Sequence, residues 1–258
     1  MSPLRASQLD GIWWADHGFG TRHDGAWTPI ERTAKLSQVH GNGVVAVREP
    51  GSFGDGDALI TATADLWLEI RTADCVPLLV ADPVRRVVAA VHAGWRGTAA
   101  QIARMTVETL TRDWGCGIQR LRVGIGPCIA ACCFEVSDEV AAQFPGHATQ
   151  TNQRAHVDLV SANRRQLVDA GIPAGQIENL GRCTACDPGQ FHSFRRDRGD
   201  GRMVSAIRIR HPLNNSLKPT CPPDKICDPG QFQSFRRDKG DGRMVSAIRI
   251  RQLRSSTR

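Results

Sequence analysis

No run of eighteen apolar residues occurs in the 258-residue chain, so a membrane-spanning helix is not expected. The opening residues "MSPLRASQLDGIWWADHGFG" lack the basic, apolar and small-residue order of a secretory leader, which makes the cytosol the expected compartment. Aromatic residues are scarce, at 5%, and do not alternate with basic ones. A base-stacking surface is therefore not expected, and neither is a nucleic-acid partner. No G-x-G-x-x-G or Walker A pattern is present, which removes the common dinucleotide and P-loop readings.

The net charge of +7 is unevenly placed. Residues 211–258 hold ten Lys/Arg against four Asp/Glu, a balance of +6, so the first 210 residues are nearly neutral at +1. The basicity belongs to the tail, not to a folded face. Nine cysteines in a reducing compartment are expected as thiols or metal ligands, not disulfides.

The tail also repeats what precedes it. "CDPGQFHSFRRDRGDGRMVSAIRIR" at 186–210 recurs at 227–251 with two changes, His192 to Gln233 and Arg198 to Lys239. Residues 211–226, "HPLNNSLKPTCPPDKI", are rich in Pro and Asn, without periodicity, and read as a linker. One catalytic module over 1–210, a linker over 211–226 and an appended copy over 227–258 is the expected organisation. One sheet offers one slot for "MVSAIRI". The first copy is expected to fill it, leaving the second loosely held or paired as an extra edge strand, a route to self-association.

Within the module, "DALIT" and "LWLEI" read as short strands. "VPLLVAD" (76–82), "RVVAAVH" (86–92) and "LRVGIG" (121–126) are nearly continuous apolar runs that read as buried strands. Two short strands are expected around the Gly-Asn-Gly turn of "LSQVHGNGVVAV" (36–47). Helices are expected over 98–114, from Ser137 through Phe144, and over 157–170 up to Gly171. Strands and helices mix without regular βαβ repetition, which predicts a single α/β (α+β) domain of mixed sheets flanked by helices.

Three residues stand where strands end: His40 in "QVHG", Cys75 in "TADCVP" and His92 in "VHAGWRG". Each is followed within two residues by Gly or Pro, where the backbone can turn sharply. Two imidazoles and a thiolate make a three-ligand zinc set with a fourth position open. Their spacings of 35 and 17 residues match no local zinc motif. The residues alone therefore leave a second reading standing, of a packed thiol and two hydrogen-bonded histidines. Cys183 and Cys186 form a single C-x-x-C, short of the two pairs of a zinc ribbon. Cys128, Cys132 and Cys133 read either as pocket-lining or as packing thiols.

In order, "LSQVHGNGVV", "RTADCVPLLVADP", "VHAGWRGT", "VGIGPCIAACCFEV" and "FHSFRRDRGDGRM" closely resemble the YfiH-like family, also called laccase-domain or polyphenol oxidase proteins. The resemblance covers about residues 12–210. It implies a mixed-sheet fold grouped with cysteine-hydrolase toxins. It implies His40, Cys75 and His92 as catalytic zinc ligands. It also implies purine nucleoside phosphorylase activity with adenosine deamination, and purine nucleosides and phosphate as partners. Phosphorolysis needs cations for phosphate. Arg96, Arg195 and Arg196 are the candidates, each with surface or structural pairing as the alternative. The older label implies copper. A multicopper oxidase needs several His-x-His pairs, and none of the eight histidines forms one. A mixed His/Cys site can still take copper adventitiously, since copper outranks zinc in divalent affinity. Two other readings stay open: a metal-free hydrolase with Cys75 as nucleophile and His92 as base, and a non-enzymatic adaptor acting through the basic tail.

Overall fold

The computed structural model describes residues 2–151 and 154–211. In chain order its strands are β1 (Ala15–Phe19), β2 (Thr33–Ser37), β3 (Val44–Ala46), β4 (Gly51–Asp55), β5 (Ala58–Thr61), β6 (Trp67–Thr72), β7 (Val76–Asp82), β8 (Val87–Ala93), β9 (Arg122–Ile125), β10 (Glu135–Val136), β11 (Ala148–Thr151), β12 (Arg154–Val157), β13 (Ile177–Asn179) and β14 (Met203–Ile209). Its helices are α1 (Ser7–Asp10), α2 (Trp95–Ala99), α3 (Ile102–Arg112), α4 (Asp138–Ala141), α5 (Leu159–Asp169) and α6 (Phe194–Asp197). The second copy at 227–258, and all of the linker beyond His211, lie outside the described residues.

A six-stranded mixed sheet, ordered β13-β9-β7-β8-β5-β3, is the middle layer. Every residue of β7 and β8 is buried, and alternation explains why. Leu78, Val80, Ala89 and Val91 face one way, onto Ile102, Val107 and Leu110 of α3 and Leu159 and Leu167 of α5. Leu79, Ala81, Val88 and Ala90 face the other way, onto Leu68 and Ile70 of β6 and Ile207 and Ile209 of β14. Those residues belong to a second sheet, ordered β1-β14-β6-β2-β4. Strands covered on both faces are apolar along nearly their whole length, as the runs at 76–82 and 86–92 are apart from Asp82, Arg86 and His92 at their ends. The strand of the first copy, β14, pairs antiparallel with β1 on one side and β6 on the other.

The helix expected over 98–114 is two helices. Gln101 has φ 61°, a left-handed conformation that turns the chain between α2 and α3. Neither Gly nor Pro marks this break. The expected 36–47 pair is also divided: β2 lies in the five-stranded sheet and β3 in the six-stranded one. The segment carrying His40 is therefore a crossover between sheets. Ser137 precedes α4 without a side-chain cap, whereas Asp158 caps α5 by accepting from the Ser161 N–H at 2.8 Å. α5 ends before Gly171, whose φ of 106° suits glycine.

His17, on β1, is 2% exposed. Its Nε2 accepts the Ala6 N–H at 2.9 Å, and the Arg5 guanidinium lies 3.4 Å from Nδ1. Burial, then the Arg5 charge, lower its pKa from 6.5 to about 4. Between those values the unfolded chain binds a proton that the folded chain refuses, so stability falls with falling pH. The shift corresponds to at most about 3 kcal/mol. Thermal unfolding followed from pH 7 to 4.5 is expected to show a shallower decline in His17→Gln than in the unaltered chain. Parallel curves would refute this.

Candidate active site

Strand register assembles the site. β7 and β8 are antiparallel with Val76 opposite Ala93 and Pro77 opposite His92, so Cys75, one residue before β7, emerges beside the end of β8. β5 pairs with β8 with Ala58 opposite Val91, which brings Asp57 level with His92. The His92 N–H donates to the Asp57 carbonyl at 2.7 Å. His40 enters from the crossover after β2 with φ 60°.

Asp57 is fully buried and organises the two histidines. Its Oδ1 lies 2.7 Å from His92 Nδ1 and accepts the His40 N–H at 3.0 Å, while Oδ2 accepts the Gly41 N–H at 2.6 Å. With Nδ1 held by the carboxylate, Nε2 is the His92 nitrogen available to a ligand. The ligand atoms of His40, Cys75 and His92 all lie within 4.8 Å of one another. The two imidazole rings are 4.8 Å apart and nearly perpendicular. Gly94 permits this approach: a Cβ there would stand 2.9 Å from His40 Cδ2 and 3.1 Å from Cys75 Sγ.

Burial pushes the Cys75 thiol up, but hydrogen bonds and charge from His40 and His92 bring it down to about 7. Burial pulls His92 down, but Asp57 and Cys75 outweigh it and raise His92 to about 9. Burial also opposes ionisation of Asp57, and the His92, Gly41 and His40 hydrogen bonds reverse that, leaving its carboxyl below the usual range. A thiolate and two imidazoles around one point, one of them oriented by a buried carboxylate, fit a tetrahedral cation with a vacant fourth position.

The three residues open onto a cavity of about 650 Å³. Ile129, Phe134 and Phe194 give it apolar surface. Five arginines line it against one carboxylate, that of Asp74. Arg96 is exposed and stacks on Trp95, 4.3 Å from the ring centre. Arg195 is half-buried, donates from its NH1 group to the Glu135 carbonyl at 2.8 Å and lies 5.4 Å from the centre of Phe134. Arg196 is absent from the lining. Its guanidinium donates to the carbonyls of Thr184, Ala185 and Phe191 and to both carboxylate oxygens of Asp197. All five N–H donors are engaged in bracing the loop. Arg198 and Arg202 do line the cavity, and sequence reading passed over both in the "RRDRGDGR" run.

Asp74, with φ 88°, is a knot between segments. Its carboxylate accepts the Thr184 hydroxyl and the Arg195 N–H, each at 2.6 Å, and its carbonyl accepts the Ile129 N–H at 2.9 Å. Asp57 was also missed in sequence. The only signal was an acidic residue at the head of an apolar strand.

The paired sheets and the His/Cys/His mouth define a mixed-sheet α/β protein with a candidate metal centre. Residues 22–210 match the family model described as multi-copper polyphenol oxidoreductase laccase, and the chain belongs to that YfiH-like family. A purine nucleoside phosphorylase of Deinococcus radiodurans is 43% identical over 182 residues, covering 68% of this chain and 70% of the relative. A protein from an unknown prokaryotic organism, named adenosine deaminase RL5, is 40% identical over 149 residues, covering 54% and 56%. The crystal structure of Bacillus licheniformis YfiH superposes with a TM-score of 0.72 at 29% identity, covering 76% of this chain and 93% of that one. Among the described residues no helix is long and apolar enough to cross a membrane.

Proposed function

We propose that this chain is a zinc-dependent purine nucleoside phosphorylase that also deaminates adenosine. The observation that carries the reading is the joining of an arginine-rich cavity to the His40–Cys75–His92 mouth. The names of the Deinococcus and RL5 relatives support the same two reactions. Zinc, when bound, supplies Lewis-acid chemistry. In phosphorolysis a phosphate oxygen forms a bond to ribose C1′ as the bond from C1′ to the purine nitrogen breaks. The bonding electrons leave with the base, which takes up a proton. Arg96 and Arg195, with Arg198 and Arg202, hold and neutralise the phosphate. Phe134, Phe194 and Ile129 take the purine face and limit access of water. Arg196 is engaged with the loop carbonyls and Asp197 and is not assigned to substrate. In deamination water adds at purine C6 and ammonia leaves.

The same reading takes 1–210 as the catalytic module and 211–258 as an appended linker and repeat. The position of β14 between β1 and β6 supports it. Zinc is preferred over copper for the native role, since His-x-His pairs are missing from the chain. A Cys75–His92 hydrolase is the second reading, favoured by the lowered thiol and raised imidazole.

Product analysis on metal-assayed protein tests the proposal. Inosine with phosphate is expected to give hypoxanthine and ribose 1-phosphate, and adenosine is expected to give some inosine as well. Free ribose, or turnover indifferent to phosphate, would overturn phosphorolysis. Unchanged turnover in metal-free protein would favour the hydrolase.

A further inference from the structure

Four cysteines gather at the loop that Arg196 braces, two of them flanking the Thr184 and Ala185 carbonyls it binds. The sulfurs of Cys132, Cys133, Cys183 and Cys186 all lie within 4.8 Å of one another. Four of the six separations are 3.7 Å (132–133), 3.8 Å (132–183), 3.6 Å (132–186) and 3.4 Å (133–186). A tetrahedron of sulfurs bonded to zinc at about 2.3 Å has edges of about 3.8 Å. The four thiols already stand close to that spacing, and all are free. An iron–sulfur cluster would need its cysteines spread around a core of several atoms, wider than this group.

The backbone is arranged for the same purpose. The Ala130 N–H donates to Cys183 Sγ at 3.4 Å, and the amides of Ala185 and Cys186 bear on the same sulfur. Amides aimed at the first cysteine of a C-x-x-C turn stabilise a thiolate that is shared with a cation. A parallel bridge between Cys128 and Cys183 fixes the two loops in register. In it the Cys128 N–H donates to the Arg182 carbonyl at 3.2 Å, and the Thr184 N–H donates to the Cys128 carbonyl at 2.9 Å.

We propose that Cys132, Cys133, Cys183 and Cys186 form a second, structural zinc site, closed by four protein ligands. It clamps the 126–134 loop to the 180–194 loop. The first carries Ile129 and Phe134. The second carries Thr184, whose hydroxyl reaches Asp74. A closed tetrathiolate site has no position for substrate, so its part is to hold the cavity wall. The proposal stands on the sulfur geometry and does not depend on the reaction assigned to the cavity.

The test uses the full chain, reduced, reconstituted with zinc and freed of excess metal. Two zinc ions per chain are expected by elemental analysis. Cobalt substitution should give thiolate charge-transfer bands of tetrahedral S₄ type. Cys132→Ser/Cys186→Ser is expected to retain one ion and lose those bands. His92→Ala is expected to keep the bands and lose the other ion, and Cys221→Ser/Cys227→Ser to keep both ions. If the cysteine double variant does not fold, the unaltered chain still decides. A zinc-bound chain whose Cys132, Cys133, Cys183 and Cys186 resist alkylation until a chelator is added supports the site. Zinc-loaded protein in which these four cysteines alkylate as freely as in the chelated chain, or a disulfide among the four by mass spectrometry of the reconstituted protein, would overturn it.

Discussion

His40→Ala, Cys75→Ala and His92→Ala are each expected to release the ion at the cavity mouth and reduce nucleoside turnover to background. A three-ligand site has no spare donor, and affinity depends on every ligand being present and deprotonated. Elemental analysis and product assays on the same preparations check this. Retention of that ion in all three variants would dismiss the ligand assignment. Cys75→Ser adds a distinction. If Cys75 is the nucleophile of a metal-free hydrolase, the variant loses turnover while the metal content of the chain is unchanged. If Cys75 is a ligand, metal and turnover are lost together. Since the tetrathiolate group is a separate set of ligands, each variant is expected to fall from two ions to one, and its metal content is read against the unaltered chain.

Asp57→Asn is expected to weaken zinc at the mouth by about 10- to 100-fold, the usual effect of removing the partner that orients a ligating histidine. The amide keeps the volume but offers one acceptor where Asp57 offers two oxygens to three donors. Its NH₂ group would face either the two donors at Oδ1 or the Gly41 N–H. Asp57→Ala removes the acceptor from all three groups, and breaking the buried Asp57–His92 pair in this way destabilises by roughly 3–5 kcal/mol. Zinc competition titrations and thermal unfolding measure the two effects. Wild-type zinc affinity in Asp57→Asn would remove Asp57 from the machinery.

The central strands were legible because two-sided burial leaves a plain mark: "VPLLVAD" and "RVVAAVH" carry polar side chains only at their ends. Short edge strands left no such mark. β10 has two residues and β11 reads Ala-Thr-Gln-Thr, and pairing with β12 alone makes them strands. The break at Gln101 was hidden because a left-handed residue there is imposed by packing, not by residue type. The residues of the site left two readings for His40, Cys75 and His92, and the ordered motifs around them favoured ligation. Arg195 and Arg196 could not be told apart in sequence. On α6 neighbours point about 100° apart, which sends one guanidinium to the cavity and the other to the loop carbonyls. The cysteine group escaped notice because one pair is adjacent, the other is C-x-x-C, and 49 residues separate Cys133 from Cys183.

The register of β5, β8 and β7 has a consequence for design and for inheritance. His92, Cys75 and Asp57 meet only because three antiparallel strands end together, and His40 joins them from a chain segment passing between two sheets. No peptide cut from this protein carries the mouth, and no loop graft would transplant it. A one-residue insertion in β7 would turn its alternation over and retract Cys75 from the group. The smallest unit that can be copied, moved or lost is the paired sheet itself. Variation compatible with the site is thereby confined to the strand ends and the loops around the cavity.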